Sequence, residues 1–243
     1  MSQERRTVIG FHSVKEALKV RPRAIKKATF RKNWEDSQEL KQLMGEFKGH
    51  RIPVDFTSPQ QLDKLGSQHQ GIAVDINETP EIDWSHINAK KSQVLIALDG
   101  IEDPHNFGAM IRTAWLLGAD AIFSLKNRAV GLTPTVHKIA TGGVEHVPIE
   151  FHANLQSTIE WLKDQGFAVF GLSEKSSTSL FKAKMPSKIL WIVGSEDKGI
   201  RKSYLDLCDQ LVSIPQTESH HSLNASIALA ISLAETKRQL GPG

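Results

Sequence analysis

The segment QVLIALDGIEDPHNFGAMIRTAWLLGA, residues 93–119, begins as a short apolar run and becomes a helical pattern after Asp99 and Gly100. Val94 to Leu98 show no polar alternation, so the strand they form is covered on both faces. Phe107, Met110, Ile111, Ala114 and Leu117 then recur on one helix face, and Asn106 stands where an N-cap would. Arg112 lies at the flank of that face. A doubly buried strand followed by an amphipathic helix is the building unit of a parallel α/β sheet.

The same alternation recurs downstream. AIFSL, EHVPIE, FAVFGLS, ILWIVGSE and QLVSIP read as strands separated by helical segments. The fold class expected is therefore α/β with a mostly parallel sheet, in which ligands bind beyond the carboxyl ends of the strands. Upstream, TVIG, FHSVKEALKV, IKKATFR, SQELKQLMGEF, IPVDFT, PQQLDKLG and GIAVDI form a second, smaller α/β pattern. Between the two, Asn77–Ser92 carries a proline and charges without a sustained period, as a linker does. The expected division is residues 1–76, a linker over 77–92, and a larger domain over 93–243.

Composition narrows the function. With 243 residues, 40% of them hydrophobic, the chain can bury two cores. No run of 18 apolar residues occurs and the first residues lack a signal-peptide pattern, so a cytoplasmic protein without membrane contact is expected. Cys208, the single cysteine, excludes an intrachain disulfide and reads as a small buried hydrophobe. The adjacent His220 and His221 cannot easily share one ion, and no metal site is expected. Net charge is only +3, yet residues 1–32 hold ten Lys or Arg against Glu4 and Glu16, the pattern of a polyanion-facing surface.

Three strand ends carry polar residues that packing does not explain: DGIEDPHNFGAMIR, IVGSEDKGI and SIPQTESHHSLN. In the second, Gly194 and Gly199 have phosphate-loop spacing, but Ile200 occupies the place of the required lysine. Glycines flanking Ser195 and Glu196 suit close approach of backbone to a cofactor. In the third, Leu223, Ile227, Ala230, Ile231 and Ala234 repeat at helical spacing as a buried stripe, Ser222 can cap, and Asn224 is left without a structural task. Neither a G-x-G-x-x-G nor a G-x-S-x-G pattern is present, which argues against a dinucleotide site and a serine hydrolase.

Taken in order and spacing, NFGAMIRTA, IVGSEDKGI and IPQTESHHSLNASIALAISLAE resemble the three motifs of the SpoU/TrmH family of RNA ribose 2'-O-methyltransferases. The N-terminal part, with VIGFHSVKEAL, resembles that family's substrate-binding domain, which is similar to ribosomal protein L30e. The resemblance implies a SPOUT-type catalytic domain with a C-terminal trefoil knot, S-adenosyl-L-methionine as cofactor, and a homodimer. It implies cofactor contacts from Gly194, Ile214 and Leu223. Arg112 takes the central catalytic role, with Asn106 and Asn224 orienting the nucleotide and Glu196 and Ser222 holding those groups. A guanosine of 23S rRNA is the expected target, because transfer-RNA members often carry short helical extensions in place of the N-terminal domain. A transfer-RNA substrate and an inactive RNA-binding or ribosome-assembly protein are the alternatives.

The chain departs from the family pattern at Gln216 and Glu218, where Met and Gly are common, at Ala234, where an aromatic is common, and at Thr141 and Gly142, where Ser and Ala are frequent. These changes touch the cofactor loop and the packing of the last helix, and they leave the polar set intact.

Overall fold

The computed structural model describes residues 6–66, 69–217 and 222–241. Two compact units emerge, one of Met1–Pro80 with Gly131–His146, the other of Glu81–Val130 with Val147–Gly243. The first unit runs β1 (Arg6–Ile9), α1 (Phe11–Val20), β2 (Ile25–Arg31), α2 (Gln38–Gly49), β3 (Val54–Thr57), α3 (Pro59–Asp63) and β4 (Ile72–Ile76). Its sheet has the order β1-β4-β2-β3, with β4 antiparallel to both neighbours and β2 parallel to β3. Val14 and Leu18 of α1, and Leu40, Leu43 and Phe47 of α2, close the core with Phe30 and Ile72. Ser37 starts α2 by accepting from the Leu40 amide at 3.3 Å.

The ten early cations do not form one surface. Arg6 is buried, with its two terminal nitrogens each 2.6 Å from a carboxylate oxygen of Glu145. Arg21 reaches the same carboxylate at 3.5 Å. A buried carboxylate needs cations beside it, so these two arginines are spent inside the unit.

The second unit opens with α4 (Trp84–Ala89), β5 (Gln93–Asp99), α5 (Pro104–Leu117) and β6 (Ala121–Leu125). The pattern over Asn77–Ser92 predicts a featureless linker, but its later part is folded. Asp83 caps α4 by accepting from the His86 amide at 3.0 Å, and Trp84 stacks on Phe123 at 6.5 Å between centroids. One half-buried aromatic outweighs the proline and charges around it.

After β6, the segment Gly131–His146 packs with the first unit, although its position in the chain groups it with the larger domain. Its helix α6 (Pro134–Ala140) lies against β1 and α1, and Ser13 donates to the His137 carbonyl at 2.7 Å. The strand expected over Glu145–Glu150 accordingly begins only at Ile149, because Gly143–Glu145 is a tight helical turn.

The chain then forms β7 (Ile149–His152), α7 (Gln156–Asp164), β8 (Ala168–Leu172), β9 (Lys188–Gly194), α8 (Lys202–Leu205), β10 (Gln210–Val212) and α9 (Ala225–Leu240). All six strands of this unit are parallel, in the order β10-β8-β9-β5-β6-β7. The carboxyl ends of β8, β9 and β10 therefore share one edge.

Two helix starts differ from the sequence expectation. Asp103, not Asn106, caps α5: it accepts from the His105 amide at 2.9 Å with Pro104 in the first helical position. Asn224, not Ser222, caps α9 by accepting from the Ser226 amide at 2.8 Å. The buried face of α9 also differs. It consists of Ala225, Leu229, Ser232, Leu233, Glu235 and Thr236, while Ile227 is 50% exposed and Ala234 is exposed. The polar members are buried because they have partners: Thr236 accepts from the Trp191 indole at 3.1 Å and donates to the Ser232 carbonyl at 2.7 Å.

Candidate active site

The site begins where β9 ends. After Gly194 the chain doubles back, and the Gly199 amide donates to the Ser195 carbonyl at 2.8 Å. A Cβ on Gly194 would sit 2.0 Å from the Gly199 carbonyl carbon, so only glycine fits under this turn. Gly199 itself has φ +64, a backbone that favours glycine. Asp99, buried at the end of β5, secures the far side: it accepts from the Arg201 amide at 2.9 Å and faces the Arg201 guanidinium at 2.6 Å. Sequence reasoning did not single out Asp99. Its signal was a carboxylate ending an otherwise apolar strand.

A cavity of about 280 Å³ lies at the carboxyl ends of β8, β9 and β10, with Leu172, Gly194 and Val212 in its wall. Gly194, Ile214 and Leu223, the three residues expected at a cofactor, all line it, together with Glu196, Gln216 and Ser222. Ala225 and Ala228 of α9 add small apolar surface, while Glu174, Lys175, Asp197 and Lys198 bring charge to the wall. Such a mixture suits a ligand with an apolar ring system and polar ends.

Beside this cavity, three residues from distant parts of the chain meet. Asn106 donates to Glu196 Oε1 at 2.7 Å, and Asn224 Nδ2 reaches both Asn106 Oδ1 at 2.9 Å and Glu196 Oε1 at 2.5 Å. The orientation of each amide follows from the helix start. Asn224 Oδ1 is taken by the Ser226 amide and hydroxyl at 2.8 and 2.6 Å, so its NH₂ must point toward Asn106 and Glu196. Asn106 then accepts through oxygen and donates through nitrogen. The triangle is pre-oriented by a capping requirement that the polypeptide must meet anyway.

Ser222 is exposed on the cavity wall. Arg112 is exposed on α5, and its side chain makes no hydrogen bond or ion pair with another described residue, so it stands apart from the triangle. Glu218, His220 and His221 lie outside the described residues. Cys208 is no nucleophile: its thiol donates to the Tyr204 carbonyl at 3.3 Å, and burial pushes its pKa up to about 12.

Residues 93–234 match the family model of the SpoU rRNA Methylase family, and residues 7–81 match that of RNA 2'-O ribose methyltransferase substrate binding. The chain is 35% identical to the 23S rRNA (guanosine-2'-O-)-methyltransferase RlmB of Coxiella burnetii, over 96% of both chains. It is 31% identical to that of Neisseria meningitidis, over 96% of this chain and 95% of the relative. Among solved structures, the SpoU methyltransferase AviRb from Streptomyces viridochromogenes in complex with AdoMet superposes with a TM-score of 0.83 at 21% identity, covering 98% of this chain and 92% of that one. AdoMet-bound rRNA methyltransferase from Sinorhizobium meliloti gives 0.79 at 21% identity, covering 98% and 88%.

Proposed function

The chain belongs to the SpoU rRNA Methylase family, and from that premise we propose that it methylates the 2'-hydroxyl of a ribose in RNA, using S-adenosylmethionine. A guanosine of 23S rRNA is the target we favour, because curated relatives aligned over nearly the whole chain carry that name. The observation that carries the reading is the convergence of Asn106, Glu196 and Asn224 beside a cavity lined by Gly194, Ile214 and Leu223. Three motifs separated by many residues would have no reason to meet there if each merely served its local fold.

The cavity fits the cofactor in chemical terms. Its wall offers apolar contact from Ile214 and Leu223 for an adenine, and the crowded backbone at Gly194 lets main-chain groups come close. When bound, the cofactor supplies a methyl group already activated on a sulfonium. The protein's task is then to bring the ribose hydroxyl in line and to manage its proton. Asn106 and Asn224 orient the nucleotide, and Glu196 holds both amides in register. Ser222 stands at the same wall to support them.

Arg112 is charged at every working pH, so it serves better as a stabiliser of the developing alkoxide and an anchor for phosphate than as a base. The proton goes to a phosphate oxygen of the RNA or to water. Arg112 shares a face of α5 with Leu116, four residues on, which is 57% exposed. Ile227 is 50% exposed on α9, the helix that packs against α5. These apolar residues support a homodimer through α5 and α9, which would bring Arg112 to the boundary between the two copies. The SPOUT knot and an L30e-like first domain belong to the same proposal, as do an RNA-binding role for the first unit and a catalytic role for the second.

Transfer of labelled methyl from S-adenosylmethionine to unmodified 23S rRNA and to bulk transfer RNA tests the proposal, with Arg112→Ala as control. Transfer to 23S rRNA that the control abolishes is expected. Transfer to transfer RNA alone would move the substrate, and cofactor binding without transfer to either RNA would leave an RNA-binding protein.

A further inference from the structure

α2 ends in a way that sequence preference disfavours. The Ile52 amide donates to the Phe47 carbonyl and the Arg51 amide to the Lys48 carbonyl, both at 3.0 Å, which is the complete Schellman stop. The residue at its left-handed position is normally glycine, yet here it is Arg51, with φ 57. A β-carbon in that conformation carries a cost that glycine would avoid.

Topology supplies its neighbours. β2 and β3 are parallel, and the Ala28 amide bonds the Pro53 carbonyl at 2.9 Å, so the residues leading into both strands lie at the same end of the sheet. Lys19, Arg23 and Lys26 enter from the α1 side, and Lys48, His50 and Arg51 from the α2 side; all six are exposed. Of the nearby acids, Glu16 faces His146 at 2.9 Å and lies 3.9 Å from Lys19, Asp55 faces Lys27 at 3.1 Å, and Glu145 is buried under Arg6 and Arg21. Glu78 is exposed after β4. Lys19 and Lys48 can be explained as complements to the helix dipoles, but Arg23, Lys26 and Arg51 lie beyond the last turns, where that effect has faded.

We infer that this end of the first unit, built from Lys19, Arg23, Lys26, Lys48, His50 and Arg51, grips the phosphate backbone of the RNA substrate; the inference rests on the RNA-modifying reading above. Cations gathered around the two helix-to-strand connections at one sheet end match a run of phosphates. The contact is one of affinity and positioning, with sequence read elsewhere.

The test is equilibrium binding of the full chain to unmodified 23S rRNA over a range of potassium chloride concentrations. Arg23→Ala, Lys48→Ala and Arg51→Gly combined should weaken binding at least roughly tenfold and flatten the salt slope by about two units, at ~0.7 per phosphate contact. Lys41→Ala with Lys64→Ala, at the opposite end of the unit, should leave the slope unchanged. Arg51→Gly alone should hold or raise the melting temperature while weakening RNA binding, an opposition that a purely structural arginine would not produce. Equal slopes for the triple variant and wild type, or an equal loss in the control pair, would overturn the inference. Methyl transfer is read separately: a chain that binds with the expected slope but transfers no methyl keeps this surface and loses the methyltransferase reading.

Discussion

Asn224 Nδ2 lies 2.9 Å from Asn106 Oδ1, so the start of α9 is hydrogen-bonded to a side chain in the first turn of α5. One amide does two things: its oxygen caps a helix and its nitrogen closes the polar triangle.

These two tasks can be separated. Asn224→Asp keeps a capping oxygen but sets a second carboxylate against Glu196, so stability should stay within about 1 kcal/mol of wild type while methyl transfer falls more than tenfold. Asn224→Ala should lose both. Thermal melts beside a methyl-transfer assay distinguish the cases, and unchanged transfer in Asn224→Asp would remove Asn224 from the site.

Gly194→Ala has nowhere to put its methyl group, given the 2.0 Å approach to the Gly199 carbonyl carbon. The turn must shift, at a cost of about 1–3 kcal/mol by analogy with overpacked cores. Calorimetry with S-adenosylhomocysteine should show binding weakened by at least about tenfold. Normal affinity would mean that the cavity beside Gly194 does not take the cofactor.

For Arg112→Lys, the expected outcome is a drop of more than tenfold in the maximal rate, an unchanged cofactor affinity and an unshifted pH–rate profile. Lysine keeps the charge but loses the forked donor geometry. Activity close to wild type would show that any cation suffices there.

His137 gives a pH prediction. It is buried in the first unit with its Nε2 unpartnered, and desolvation, helped by Arg6, lowers its pKa to about 3. The unfolded chain takes up a proton near pH 6.5 and the folded chain does not. Stability is therefore complete above that pH and is lost as pH falls toward 3, by at most about 1.4 kcal/mol per pH unit from this group. Urea unfolding at pH 7 and pH 4.5 should show the loss, and His137→Phe should reduce it. An identical pH dependence in the variant would assign the acid sensitivity to other groups.

Much of the architecture was readable locally. IKKATFR coincides with β2, and the apolar core of VLIALDG lies within β5, because continuous or alternating apolarity over a few residues is a property of the strand itself. Gly194, Ile214 and Leu223 were legible as cofactor candidates through motif order, and the cavity gathers all three. Helix starts were misplaced by two or three residues, since Asn106 and Ser222 can cap as well as Asp103 and Asn224 and local preference does not choose between them.

What the linear pattern could not contain were choices made by distant partners. Arg6 looks like any surface cation until Glu145 is buried against it. Segment 131–146 sits between two strands of one sheet in the chain, yet packs with the other unit, because Val136, Ala140 and Val144 find their apolar cover there. The buried face of α9 shifted for the same reason: the stripe Ile227, Ile231 and Ala234 has a helical period, but Ala225, Leu229 and Leu233 have one too, and the faces of α5 and β9 selected the second. Periodicity states that a helix has a face to bury; which face is buried depends on what the rest of the chain places beside it.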